Sequence, residues 1–223
     1  EGGVRTKNEV MALLPDLFPQ TPVEKVPGTV AGIDPEFKLP QIWKNTLAAD
    51  IKLPLPFNAG LTLEGVYAKN LNAVLQQNVN MIPANDTRVT TFNGPDNRYL
   101  YPGANNSRVV SDMSGAYILT NTSKGYSYSF NATLNMTPVE NLNLMLAYTY
   151  TGSKEVSGNP GAQPYELWQN TPTVNGGNHL PLRNSQYLTP NRLIASLGYR
   201  FNYAKHFATT ISLYYTGYTP GNY

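Results

Sequence analysis

From Tyr126 to Met136 apolar and polar residues alternate without a break. Tyr126, Tyr128, Phe130, Ala132, Leu134 and Met136 fall on one side, and Ser127, Ser129, Asn131, Thr133 and Asn135 on the other. Thr137-Pro138-Val139-Glu140-Asn141 reads as a turn. Beyond it Leu142, Leu144, Leu146, Tyr148 and Tyr150 resume the apolar side, with Met145 out of pattern among Asn143, Ala147, Thr149 and Thr151. Successive side chains of a strand point to opposite faces, so this period predicts a β-hairpin. Pairing the arms across residues 137–141 sets Met136 opposite Leu142, Leu134 opposite Leu144 and Tyr128 opposite Tyr150. The apolar face is then aliphatic near the turn and aromatic farther away. A lipid bilayer sorts side chains in this way, because Tyr rings favour the headgroup boundary and aliphatic chains the hydrocarbon.

The same period recurs along the chain. Residues 43–53 carry Leu47, Ala49, Ile51 and Leu53 on one face; Lys44, Thr46, Asp50 and Lys52 lie on the other. A turn at 54–58 with two prolines leads into a strand from Ala59 towards Val79, kinked near Asn70. A strand over 113–136 enters the hairpin. Asn191–Tyr203 and His206–Gly217 form a last pair around Ala204-Lys205. Six antiparallel strands over 43–217 are thus predicted in sequential order. The short connections are 54–58, 137–141 and 203–206. The long segments are 1–42, irregular and proline-rich with a short helical turn near Glu9–Leu14, then 80–111 and 155–189. Short turns at one end and long loops at the other predict an all-β, antiparallel, up-and-down transmembrane β-barrel segment, the long loops extracellular and the short turns periplasmic. Leu134 and Leu144 are expected near the bilayer midplane. Residues 1–223 form one partial barrel domain, because six strands are fewer than the about eight of the smallest single-chain outer-membrane barrel. The sheet is therefore expected to be open, with the strands near Trp43 and Tyr215 as unpaired edges, and both chain ends read as cut.

Composition sharpens this. Charged residues are only 13% of 223, with 16 Tyr and much Asn and Thr, where a soluble domain carries about 25% charge. There are no cysteines, which excludes disulfides and thiolate metal sites. A net charge of +2 without a basic cluster argues against nucleic acid. No apolar run of about 20 residues predicts a spanning helix, and Glu1-Gly2-Gly3-Val4 is no signal peptide.

Several stretches resemble the barrel of TonB-dependent outer-membrane receptors of the Bacteroidota, in particular the Oar-like group. These are Ile33-Asp34-Pro35-Glu36-Phe37-Lys38-Leu39-Pro40-Gln41-Ile42-Trp43, Leu63-Glu64-Gly65-Val66-Tyr67, Tyr148-Thr149-Tyr150-Thr151 with Trp168 in the loop behind it, residues 192–201 and Thr210-Ile211-Ser212-Leu213-Tyr214-Tyr215. The resemblance implies a segment of the C-terminal barrel of a transporter with about 22 strands and a plug. It implies TonB-driven import of a large solute (peptide, glycan or chelate). The implied partners are outer-membrane lipid, the TonB complex reached through an N-terminal region that this sequence lacks, the remaining barrel and plug, and a surface lipoprotein. The alternative is an outer-membrane barrel that anchors adhesive or structural loops without gated transport; a soluble all-β domain is the third reading.

No enzyme, metal or cofactor constellation is expected. His179 in a long loop and His206 at a short turn should lie at opposite ends. Gly176-Gly177 lacks the Lys-Ser/Thr of a phosphate cradle. Two sets of candidate contact residues remain. Tyr99, Tyr101, Tyr165 and Trp168 in the long loops could stack on a solute. Asp50, Lys52, Glu64, Arg192 and Arg200 are charges on the polar strand faces, facing a lumen, with Asp50, Lys52 and Lys44 expected to form a local network.

Overall fold

The computed structural model describes Asn8, residues 28–171 and residues 173–221. The helical turn expected near Glu9–Leu14 lies outside the described residues. The elements run β1 (Thr29–Ile33), β2 (Gln41–Lys52), β3 (Asn58–Asn78), β4 (Thr90–Thr91), β5 (Tyr99–Leu100), β6 (Gly115–Thr122), β7 (Tyr126–Thr137), β8 (Leu142–Glu155), α1 (Pro164–Gln169), β9 (Arg183–Asn184), β10 (Asn191–Tyr203) and β11 (Phe207–Tyr218).

Six long strands, β2, β3, β7, β8, β10 and β11, pair antiparallel in sequential order. β2 and β11 each have one edge unpaired, so the sheet is open among the described residues. The strand expected over 113–136 is two strands. β6 and β7 pair with the same edge of β3 in one continuous register, Asn78↔Tyr117 through Asn58↔Thr137, broken only around Gly125. Gly125 takes φ +116°, outside regular strand geometry, while its O still accepts from Asn70 N at 3.1 Å. The kink expected near Asn70 is a bulge in β3 itself, where Asn70 faces Ile42 and Asn72 faces Gln41, leaving Leu71 as the extra residue.

Two expectations are corrected. The segment 1–42 is not irregular throughout, since β1 pairs parallel with β6. The chain then crosses that ladder, held where the Asn121 side chain bonds Lys38 N and O at 2.6 and 2.9 Å. The hairpin register is also shifted by two residues. Met136 faces Leu144, Leu134 faces Leu146, Phe130 faces Tyr150 and Tyr128 faces Gly152. The cause is a tighter turn, in which Asn141 adopts φ +66° and Leu142 N bonds Val139 O at 3.2 Å. A two-residue slip leaves every side chain on its assigned face.

The apolar face carries Ile51, Leu61, Leu134, Leu146 and Ala195 across its middle. Towards the long loops come Tyr67, Tyr128, Phe130 and Tyr150, then the paired row Lys69–Tyr126–Lys154. The Tyr128 ring lies over Gly152, where a Cβ would meet it at 2.3 Å. Towards the short turns, Tyr199 packs edge-on to Phe201 at 4.5 Å and Tyr203 stacks on Phe207 at 6.4 Å. No second layer covers this face among the described residues. Leu47 is 81% exposed and Leu213 69%. The sheet thus leaves a broad apolar surface open, far beyond scattered exposed side chains.

Burial is concentrated instead where the long loops gather. Ile82, Tyr117, Val156 and Leu188 are buried there, with Gln76, Asn78, Asn80 and Thr171. Asparagine side chains replace backbone partners in this cluster. Asn80 donates to Val110 O (3.1 Å) and Met113 O (2.7 Å) and accepts from Val110 N (2.8 Å). Asn78 Oδ1 accepts from Asn80 N and Ala116 N, both at 3.1 Å.

Candidate functional site

The polar face of the sheet alternates with the apolar one, so its residues follow from the register. One row across it runs Glu64, Asn131, Thr149, Arg192 and Tyr218, each opposite the next. Thr149 donates to Asn131 Oδ1 at 3.1 Å. Another row sets Asp50 opposite Thr62, whose hydroxyl donates to the carboxylate at 2.6 Å. The network expected between Asp50, Lys52 and Lys44 does not form; no ion pair joins them. On an exposed, hydrated surface two lysines gain little by fixing their side chains on one carboxylate. Arg200 sits near the short turns, where its Nε donates to Asn202 Oδ1 at 3.1 Å and its N to Asn141 O at 3.0 Å. The five candidate charges therefore do not converge. Arg192 lies at the loop end of β10 and Arg200 eight residues along it, about 27 Å away.

Two concavities open on this face. The lower, of about 590 Å³, is lined by Asn58, Asn135, Asn143, Ser196, Arg200, Thr210 and Ser212, with other residues of the short-turn end. The upper, of about 660 Å³, is formed by Ser127, Thr151, Ser153, Arg192, Thr216 and Tyr218 from the strands and by Ser185, Tyr187, Leu188 and Thr189 above them. It exists because residues 185–190 leave the ladder between β9 and β10. They are tied back by Ser185 N to Ser153 O at 3.0 Å and Thr151 N to Pro190 O at 2.8 Å. Arg192 is exposed and its guanidinium has no ion-pair or hydrogen-bond partner among the described residues, while Tyr187 is 77% exposed and Tyr218 66%.

The four loop aromatics expected to meet a solute are engaged within the loops. Tyr117 packs between Tyr165 and Trp168, with centroids at 5.5 and 5.6 Å. Trp168 Nε1 donates to Asn178 Oδ1 at 2.8 Å. Its indole lies so close to Gly177 that a Cβ there would meet it at 2.5 Å. Tyr99 packs edge-on to His179 at 5.4 Å, and its N bonds Asn175 Oδ1 at 3.1 Å. The Tyr101 hydroxyl is buried without a partner, and burial raises its pKa above the ordinary value of 10.0. Sequence reasoning missed Tyr187 and Tyr218. The usable signal was their closeness to Arg192, Tyr187 shortly before it and Tyr218 on the facing strand. Among the described residues, no group of His, Asp and Glu is arranged to hold a metal ion, and no helix is long and apolar enough to cross a membrane, which says nothing of strands.

Compared with family models, with curated proteins and with solved structures, the chain matches none of them.

Proposed function

We propose that the chain is part of the wall of a transmembrane β-barrel in a bacterial outer membrane. The barrel belongs to an importer of the TonB-dependent type that takes a large solute past a plug. The observation that carries the membrane reading is the uncovered apolar face with its aromatic borders. Tyr199 stands opposite Leu142, so eight residues of β8 separate its row from that of Tyr150. That is about 27 Å along the strand, or about 21 Å in a sheet tilted by about 40°, against an apolar band of about 25 Å in such barrels. The polar face then lines a water-filled lumen. The unpaired edges of β2 and β11 need strands from the remaining barrel, since lipid offers no water to satisfy them. The importer reading rests on the resemblance of the strand segments to TonB-dependent receptors.

One observation favours the second reading, a barrel that anchors structural or adhesive loops without transport. Tyr99, Tyr101 and Trp168 are spent on packing the loops, and Tyr165, 47% exposed, rests edge-on against Tyr117.

Cells producing the protein with a cysteine at Val174 or at Lys205 test the membrane reading. Val174→Cys should react with an impermeant reagent on intact cells and Lys205→Cys only after lysis, both in the outer-membrane fraction. Recovery of the protein in the soluble fraction, or equal labelling of both, contradicts the reading. Solute accumulation that stops when TonB is deleted separates import from anchoring.

A further inference from the structure

We infer that the upper concavity is the solute-contacting part of this wall and takes a carboxylate-bearing, hydroxyl-rich chain, an acidic oligosaccharide. The inference rests on the reading of the polar face as the lumen of a barrel. It starts from the one charge in the concavity. Arg192 lies between Thr149 and Tyr218 on its neighbouring strands, and among the described residues no carboxylate pairs with it. Glu64, in the same row, is three strands away, about 14 Å at the usual strand spacing. Glu155 is placed one strand over, opposite Arg183 on β9. An unopposed guanidinium in an open concavity fits a carboxylate, with which it makes two parallel hydrogen bonds.

The rest of the lining selects the kind of carboxylate. Ser127, Thr151, Ser153 and Thr216 bring neutral hydroxyls that both donate and accept, which suits a ligand that itself carries many hydroxyls. Tyr187 and Tyr218 offer rings that are largely exposed, and amphipathic rings of this kind can lie against the apolar face of a sugar. A peptide is less well served. The backbone groups of β7, β8 and β10 here are already paired on the sheet, and in the barrel the outer edge of β11 is taken by the next strand, so an acidic peptide finds no ladder to join. At about 660 Å³ the space is of the size of small-molecule sites.

Protein purified from outer membranes in detergent tests this by calorimetric titration with tetragalacturonate, with its neutral methyl ester and with tetraglutamate. A heat-modifiable electrophoretic band shows in the same samples that the barrel is folded. The acid should bind most tightly. Arg192→Gln should weaken it about tenfold or more and leave the ester unchanged. Arg192→Lys should recover only part of the loss, and Tyr187→Ala should weaken acid and ester alike. Equal binding of the acid by wild type and Arg192→Gln overturns the inference. So does tighter binding of tetraglutamate, or no binding by protein that is folded in the membrane; the last leaves the membrane reading standing. Protein absent from the membrane removes both.

Discussion

Asn178 holds the end of β3 through Asn78 with a pair of hydrogen bonds. Its Oδ1 accepts from Asn78 N at 2.9 Å and its Nδ2 donates to Asn78 O at 2.8 Å. A side-chain amide thus stands in for a neighbouring strand, joining residues 100 apart in sequence. It fastens the loop between β8 and β10 to the opposite part of the sheet, and Trp168 bonds the same Oδ1.

Asn178→Ala should therefore loosen that loop without unfolding the sheet. Asn78 is buried, and leaving its N–H unsatisfied costs about 1–3 kcal/mol. Hydrogen exchange should speed up at Asn78 and along residues 173–180, with β7 and β8 unchanged. Unchanged protection at Asn78 would contradict the role given to Asn178.

Tyr101→Phe should be neutral or stabilising, by up to about 1 kcal/mol. The hydroxyl it removes is buried and unpartnered, so it contributes desolvation cost and no bond. A thermal melt of the loop signal checks this. A clear loss of stability would mean that the hydroxyl has a partner.

The turn at Asp86 should open in acid. Arg88 grips the Asp86 carboxylate from Nε at 2.9 Å and Nη2 at 2.8 Å, and this lowers its pKa from 3.8 to about 2. A carboxylate whose pKa falls on folding stabilises the fold above its unfolded value and loses that contribution as pH drops. Protease resistance of residues 83–89 should hold at pH 5 and fall between about pH 4 and pH 2. Asp86→Asn should abolish that dependence.

Replacing Leu146 by Lys should cost about 2–4 kcal/mol of folding into lipid, and replacing Asn135 by Lys far less. Leu146 lies opposite Leu134 in the middle of the aliphatic band, whereas Asn135 faces the other way. Equal costs would contradict the assigned facing.

The facing of the strands was legible in the sequence and their exact pairing was not, for one reason. Period two fixes which side Leu134 and Tyr148 take, whatever the register. The register depends on Asn141 adopting a left-handed conformation, which the sequence Val139-Glu140-Asn141 permits without requiring. Asp50 lies opposite Thr62, on the polar side that the alternation assigned it. The loops were the least legible part. Tyr165 and Trp168 read as free aromatics because their partner, Tyr117, belongs to a strand far away in sequence. The bonds of Asn78, Asn80 and Asn178 to backbone groups depend on tertiary proximity alone. Arg192 was legible as a polar-face charge, but the excursion of residues 185–190 that makes a concavity above it was not.

The central claim is that one face of the sheet meets lipid and the other water. Spin labels placed singly along β8 from Leu142 to Tyr150, in isolated outer membranes, test it most directly. Collision with oxygen, which dissolves in lipid, and with a nickel chelate, which does not, should alternate with period two. Leu144, Leu146 and Tyr148 should favour oxygen, and Asn143, Ala147 and Thr149 the chelate. Equal access of the chelate to both sets would show that the apolar face is not in lipid and would contradict the account.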